Sequence, residues 1–249
     1  MGIRQSSRAI DSHPAPAFSN PGGFVVVQFI LDFDSTFIQG EGLDELLAHT
    51  FRAVPQADVS LEARFRELTE AGMSGRLPFS QSLERRMVLL AAHRDQVAEV
   101  ADALREVVTP SFVRDRGELS RRAREGTIHI VSGGFTELIR PVVADFGIPA
   151  ERVWANDFIY DARERVVGVD QENPLSRDGG KVAVVQAMAL PGLVVGVGDG
   201  STDLELKRAG AVNRFIAFTE NRRREAVVAG ADAEATCLEE VWSWSERWI

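Results

Sequence analysis

The sequence predicts an α/β fold: a parallel sheet core with a small helical cap inserted after the first strand. Three observations predict it. Apolar, β-rich runs alternate with helix-patterned segments over most of the chain, as in βαβ units whose strands are covered on both faces. The three most apolar runs end alike, in a polar turn of small residues: "FILDFDST", "IHIVSGG" and "VVGVGDGSTD". Between the first and second of these lie roughly 70 residues of helical pattern with no strand among them.

The run from Phe24 to Leu31 reads as a buried strand that runs straight into Asp32 and Asp34. Helices follow. Leu43, Leu46, Leu47 and Phe51 share one helix face, as do Leu61, Phe65, Leu68 and Met73. "SQSLERRMVLLAAH" and "DQVAEVADALREVV" continue the helical pattern. "GTIHIVSGGF" is a strand ending in Ser-Gly-Gly at a helix start, and "TELIRPVVADFG" is a helix that Pro141 kinks or restarts. Residues 152–170 read as two strands around a polar turn. "GGKVAVVQAMA" is a helix, "GLVVGVGDG" a strand, "TDLELKRAG" a helix stopped by Gly210, "RFIAF" a strand and "TCLEEVWSWSERWI" a last helix. The organisation is then a disordered tail over 1–22, a core over 23–40 and 108–249, and a cap over 41–107.

Hydrophobic residues at 45% and charged residues at 26% match a soluble globular protein. A net charge of -9 disfavours nonspecific binding to nucleic acid or to an anionic membrane surface. No apolar run approaches the ~18 residues of a membrane span. The opening segment lacks the apolar centre of a secretory signal, which points to the cytoplasm. Cys237 is the single cysteine, which excludes an internal disulfide and reads as a small buried apolar residue.

Ligands bind at the carboxyl ends of the strands in an open parallel sheet, so Asp32, Asp34, Ser132 and Asp199 should converge. Asp32 and Asp199 together leave negative charge that a hard cation such as Mg²⁺ balances, and Mg²⁺ commonly also takes a phosphate oxygen. Ser132 and Gly133 offer a hydroxyl and N–H groups to an anion, and Lys181 offers a point charge. A carboxylate can act as nucleophile on phosphorus, and a second can shuttle the proton. Positions i and i+2 of a strand face one side, which is the spacing of Asp32 and Asp34.

The order Asp-Phe-Asp-Ser-Thr, Ser-Gly-Gly, Lys, Gly-Asp-Gly-x-x-Asp resembles the haloacid dehalogenase superfamily of phosphohydrolases over almost everything after residue 23. The resemblance implies a Rossmann-like parallel sheet core and a set of roles. Asp32 is then nucleophile and metal ligand. Asp34 is general acid and base and gives its backbone carbonyl to the metal. Asp199 is a metal ligand, Ser132, Gly133 and Lys181 hold the phosphoryl group, and Asp203 supports the metal's water shell or Lys181. Thr202 stands where the superfamily usually has asparagine; its hydroxyl can still bond a phosphate oxygen or water.

Within the superfamily the chain is most similar to the phosphoserine phosphatase family, which carries a small helical cap at this place. "GMSGRLPFSQSLERRMVLL" resembles that family's substrate-reading segment. The likeness implies that Glu41 receives a substrate ammonium, Phe79 packs over the substrate, Arg86 pairs with its carboxylate, and Met73 lines the cavity. Arg85 takes the place of Arg86 if the register slips by one. The implied partner is a small phosphorylated metabolite, L-phosphoserine first, and the implied outcome is L-serine production with Mg²⁺ as cofactor. Another small phosphate ester, transfer to an acceptor other than water, and a non-catalytic module on the same fold remain alternatives. His129, between Ile128 and Ile130, reads as structural. Trp242, Trp244 and Trp248 read as packing for the last helix or as the contact of a homodimer.

Overall fold

The computed structural model describes residues 25–52 and 59–249. The expected tail, and Phe24 at the head of the first run, lie outside the described residues. Six strands form one parallel sheet: β1 (Val27–Leu31), β2 (Ile128–Phe135), β3 (Val153–Asn156), β6 (Leu193–Gly198), β7 (Arg214–Phe218) and β8 (Ala233–Ala235). Their order is β3-β2-β1-β6-β7-β8, every neighbouring pair parallel. The chain moves outward from β1 through β2 to β3, then returns to the other side of β1 for β6. The ends of β1 and β6 therefore flank the switch point, where a crevice opens in such sheets.

Helices α1 (Gly42–Arg52), α2 (Val59–Met73), α3 (Phe79–Leu89) and α4 (Arg94–Ala103) form the insertion after β1. α5 (Pro110–Arg114), α6 (Arg116–Arg124), α7 (Thr136–Ala144), α8 (Gly180–Met188), α9 (Ser201–Arg208), α10 (Glu225–Val228) and α11 (Leu238–Glu246) belong with the sheet. No helix among the described residues is long and apolar enough to cross a membrane.

Alternation along β1 sorts its side chains. Phe29 and Leu31 join a large apolar cluster on one face of the sheet, and Ile30 joins a second cluster on the other. Trp242 closes on Phe29 edge-to-face at 4.8 Å, and Trp244 stacks with Trp248 at 6.1 Å, so all three tryptophans make contacts within the chain.

Four readings need correction. Residues 153–169 hold three strands rather than two: β3 joins the main sheet beside β2, while β4 (Phe158–Tyr160) and β5 (Val166–Val169) pair as a separate antiparallel hairpin. Asp157 lies between β3 and β4, and its carboxylate accepts from Thr136 Oγ1 at 2.7 Å. β8 went unread because Ala-Glu-Ala carries no apolar run. Ser132, Gly133 and Gly134 lie in the last part of β2, where the register shifts, and not at the start of α7. Cys237 is half-buried at the head of α11 rather than fully buried, and burial pushes its thiol up. Pro141 lies inside α7, which runs on through it.

His129 is structural, and it gives the fold an acid sensitivity. Its Nε2 lies 3.0 Å from Gln28 Oε1 and 3.2 Å from Arg152 Nη1, while its Nδ1 is buried without a hydrogen-bond partner among the described residues. Burial, then the Arg152 charge, lowers its pKa to about 4. The unfolded chain takes this proton near pH 6.5 and the folded chain resists it, so the contribution is complete above ~6.5 and is lost as pH falls toward 4. The full loss is on the order of 3 kcal/mol. Melting temperatures of wild type and His129→Gln from pH 7.5 to 4 will therefore converge on acidification. Parallel curves would remove His129 from the account.

Candidate active site

β1 delivers Asp32 to the crevice. The Asp32 N–H still donates to the Val197 carbonyl at 3.0 Å, so the residue is fixed by the sheet. Phe33 turns the other way and is buried against Phe37, itself packed on Phe112 and Phe146. An apolar residue between two acids thus anchors the turn that presents them. Ser35 follows at φ 54°, a left-handed conformation uncommon for serine, and its N–H donates to the Gly40 carbonyl at 2.8 Å. That tight turn brings Glu41 back: the Ser35 hydroxyl donates to Glu41 Oε1 at 2.8 Å. Asp34 Oδ1 accepts the Gly42 N–H at 2.7 Å, where α1 begins and its dipole favours an anion.

Lys181 is the hub on the opposite wall. α8 starts at Gly180 after Gly179, whose φ of 71° sets the sharp entry. Lys181 Nζ donates to Asp32 Oδ1 at 2.8 Å and to Asp203 Oδ1 at 2.7 Å. Burial pulls its pKa down, but Asp203 and Asp32 outweigh that and hold it above the usual lysine range. Asp203 Oδ2 accepts the Gly200 N–H at 3.1 Å. Carboxylate oxygens of Asp32, Asp199 and Asp203 lie within 4.8 Å of one another, and all three acids are buried. Asp199 Oδ1 has no hydrogen-bond partner among the described residues, and Oδ2 accepts from Arg224 Nη1. Buried carboxylates with an orphan oxygen fit a hard divalent cation. The Asp34 carboxylate stands outside this cluster, and Asp203 stands inside it.

Ser132 is fully buried, and its Oγ accepts the Gly134 N–H at 3.0 Å. Asn156 Nδ2 donates to the Gly133 carbonyl at 2.9 Å and to the Leu175 carbonyl at 3.2 Å, which fixes this strand end from behind. Gly133 has no room for a side chain: a Cβ there would meet the Phe79 ring at 2.6 Å. Phe79 therefore lies directly over the strand end.

The helical insertion supplies the far wall. Arg86 is buried and lines the cleft, whereas Arg85 is exposed. Among the described residues, its Nη1 bonds Thr69 Oγ1, at 3.4 Å, and its Nε has no hydrogen-bond partner. Thr69 Oγ1 donates to Asp44 Oδ1 at 2.6 Å, so Asp44 faces the guanidinium through Thr69. Burial lowers the Arg86 pKa, opposed by Asp44, Glu41 and Asp34. Burial, then the neighbouring Glu41 charge, raises Asp34 well above the usual carboxylate range. Burial, then Asp44, raises Glu41 to about 7.

Of the residues expected at the site, all but Asp199 and Asp203 line one cleft, and those two stand beside Asp32. Met73 and Thr202 are in its wall. The sequence reading missed Ser35, Asp44, Thr69, Asn156 and Arg224. Asp44 and Thr69 could have been found as the polar positions on otherwise apolar helix faces.

Residues 29–208 match the family model of haloacid dehalogenase-like hydrolases. The chain is 30% identical over 246 residues to the chloroplastic phosphoserine phosphatase of Arabidopsis thaliana, covering 92% of this chain and 79% of that one. It is 31% identical over 201 residues to the phosphoserine phosphatase of Mus musculus, covering 79% and 83%. A phosphoserine phosphohydrolase-like protein from Francisella tularensis superposes with a TM-score of 0.78 at 26% identity, covering 88% and 99%. The chain belongs to the haloacid dehalogenase-like hydrolases and is a phosphohydrolase.

Proposed function

We propose that the protein hydrolyses O-phospho-L-serine to L-serine and phosphate, with Mg²⁺, through a phosphoryl group carried on Asp32. One observation carries the substrate. Arg86 is a buried guanidinium with an unpartnered Nε and one long hydrogen bond, and it faces the same cleft as the phosphate-side residues. A buried cation so poorly satisfied is costly unless a ligand completes it, and the planar fork matches a carboxylate. Glu41, in the same cleft, suits the substrate ammonium.

Lys181 and Ser132 hold the phosphoryl oxygens. Asp32 attacks phosphorus, the bond from phosphorus to the serine oxygen breaks, and Asp34 gives that oxygen a proton. The raised pKa of Asp34 suits an acid that must hold its proton until then. The Asp34 carboxylate next takes a proton from water, whose oxygen attacks phosphorus and frees Asp32. Asp32, Asp199 and Asp203, with the Asp34 carbonyl, would hold Mg²⁺, which when bound supplies positive charge for the phosphoryl oxygens. Phe79, over Gly133, keeps bulk water off the phosphoryl site.

Phosphate release from a panel tests this. With Mg²⁺, L-phosphoserine will be the best substrate among phosphothreonine, phosphoethanolamine, a sugar phosphate and p-nitrophenyl phosphate, and chelation will stop release. Phosphoethanolamine lacks only the carboxylate, so equal rates for it and phosphoserine would leave the hydrolase and remove the substrate.

A further inference from the structure

Arg224 closes the run Arg222-Arg223-Arg224 just before α10. Arg222 and Arg223 are exposed, whereas the Arg224 side chain is only 10% exposed. Its Nη1 donates to Asp199 Oδ2, its Nη2 lies 3.4 Å from Glu70 Oε2 on α2, and its Nε is buried with no hydrogen-bond partner among the described residues. Glu70 also accepts from Arg222 Nη2 at 2.6 Å. One guanidinium thus bridges a metal-site acid of the core and an acid of the helical insertion.

The charges around this bridge set up a competition for Asp199. Lys181 balances Asp32 and Asp203 together, and Arg224 is left as the counter-charge of Asp199. A divalent cation on Asp199 competes for that carboxylate and repels the guanidinium at short range, where little water screens them. Arg224 has a second acid within reach, Glu70. We infer that Arg224 is the counter-ion that Asp199 gives up when Mg²⁺ binds, and that the freed guanidinium passes to Glu70, so that loading the site strengthens the bond between core and cap. This rests on the Mg²⁺ site proposed above.

Isothermal titration of the full chain with Mg²⁺ alone, without substrate, reads it directly. Arg224→Met will bind Mg²⁺ about tenfold more tightly than wild type, because no ion pair has to be broken; tenfold corresponds to about 1.4 kcal/mol. Arg224→Lys, which keeps the charge but loses the fork, will fall between them and serves if the methionine variant does not fold. Glu70→Gln will weaken Mg²⁺ binding about threefold, since Arg224 then has nowhere to go, and will change nothing when combined with Arg224→Met. Unchanged or weaker affinity in both Arg224 variants, with native circular dichroism, overturns the inference and leaves the metal site intact. A Glu70→Gln effect that persists without Arg224 overturns the transfer to the cap. Failure of wild type and every variant to bind Mg²⁺ overturns the metal reading itself.

Discussion

Asp32→Asn will lower phosphate release by ~10³-fold or more while the protein still folds. The amide oxygen is too poor a nucleophile to carry a phosphoryl group, and loss of a covalent nucleophile costs orders of magnitude in turnover. The fold should tolerate the change. Asparagine keeps an oxygen for Lys181 Nζ, Lys181 keeps Asp203, and one negative charge leaves a crowded acidic cluster. Activity assays beside a thermal melt separate the two effects. A folded variant with more than a few per cent of wild-type turnover would place the nucleophile elsewhere.

The second large effect is on selectivity. Arg86→Ala will lower kcat/KM for phosphoserine roughly a hundredfold more than for p-nitrophenyl phosphate. Losing one partner of a buried, hydrogen-bonded charge pair costs about 2–5 kcal/mol, and each 1.4 kcal/mol is a factor of ten. Only a substrate with a carboxylate makes that pair. The substitution also takes the counter-charge from Asp44, Glu41 and Asp34, so some loss on both substrates is expected, and the ratio is the diagnostic. Arg86→Lys will restore little, since an ammonium cannot form the fork. An equal fall on both substrates would make Arg86 a structural charge only.

Most of the fold and site was legible because each strand end carries its own local signal. Asp32 follows an apolar run, Asp199 sits between glycines after another, and both facts need only a few neighbouring residues to be read. The crevice follows from the order of strands and helices alone. What escaped depends on distant partners. Nothing in Asn-Arg-Arg-Arg-Glu tells which arginine is buried; Arg224 differs from Arg222 and Arg223 only because α2 and the end of β6 close around it. Asn156 looks like an ordinary strand terminator until Gly133 and Leu175 arrive from elsewhere in the chain. β8 is held by β7 rather than by any pattern of its own. Ser35 is the exception, a local feature hidden because serine seldom marks a left-handed turn.

The two chain crossings into and out of the helical insertion lie side by side. Ile38 bridges Val108, the Gln39 N–H donates to the Val107 carbonyl at 2.8 Å, and the Thr109 N–H donates to the Phe37 carbonyl at 2.9 Å. Asn221 Nδ2 pins the same place: its two N–H groups face the carbonyls of Ser35, Thr36 and Ile38 and Thr109 Oγ1, all within hydrogen-bond distance. The insertion is nevertheless no loose appendage: Leu43, Leu46, Leu47, Phe65, Leu83 and Val100 share one apolar cluster with Phe29, Ile128 and Val142 of the sheet side. Away from the double crossing, Ser80 bonds the Asp178 carboxylate and Arg224 reaches Glu70. A foreign insertion would therefore have to supply a matching apolar face as well as a pair of ends, or the sheet beneath it would be left uncovered.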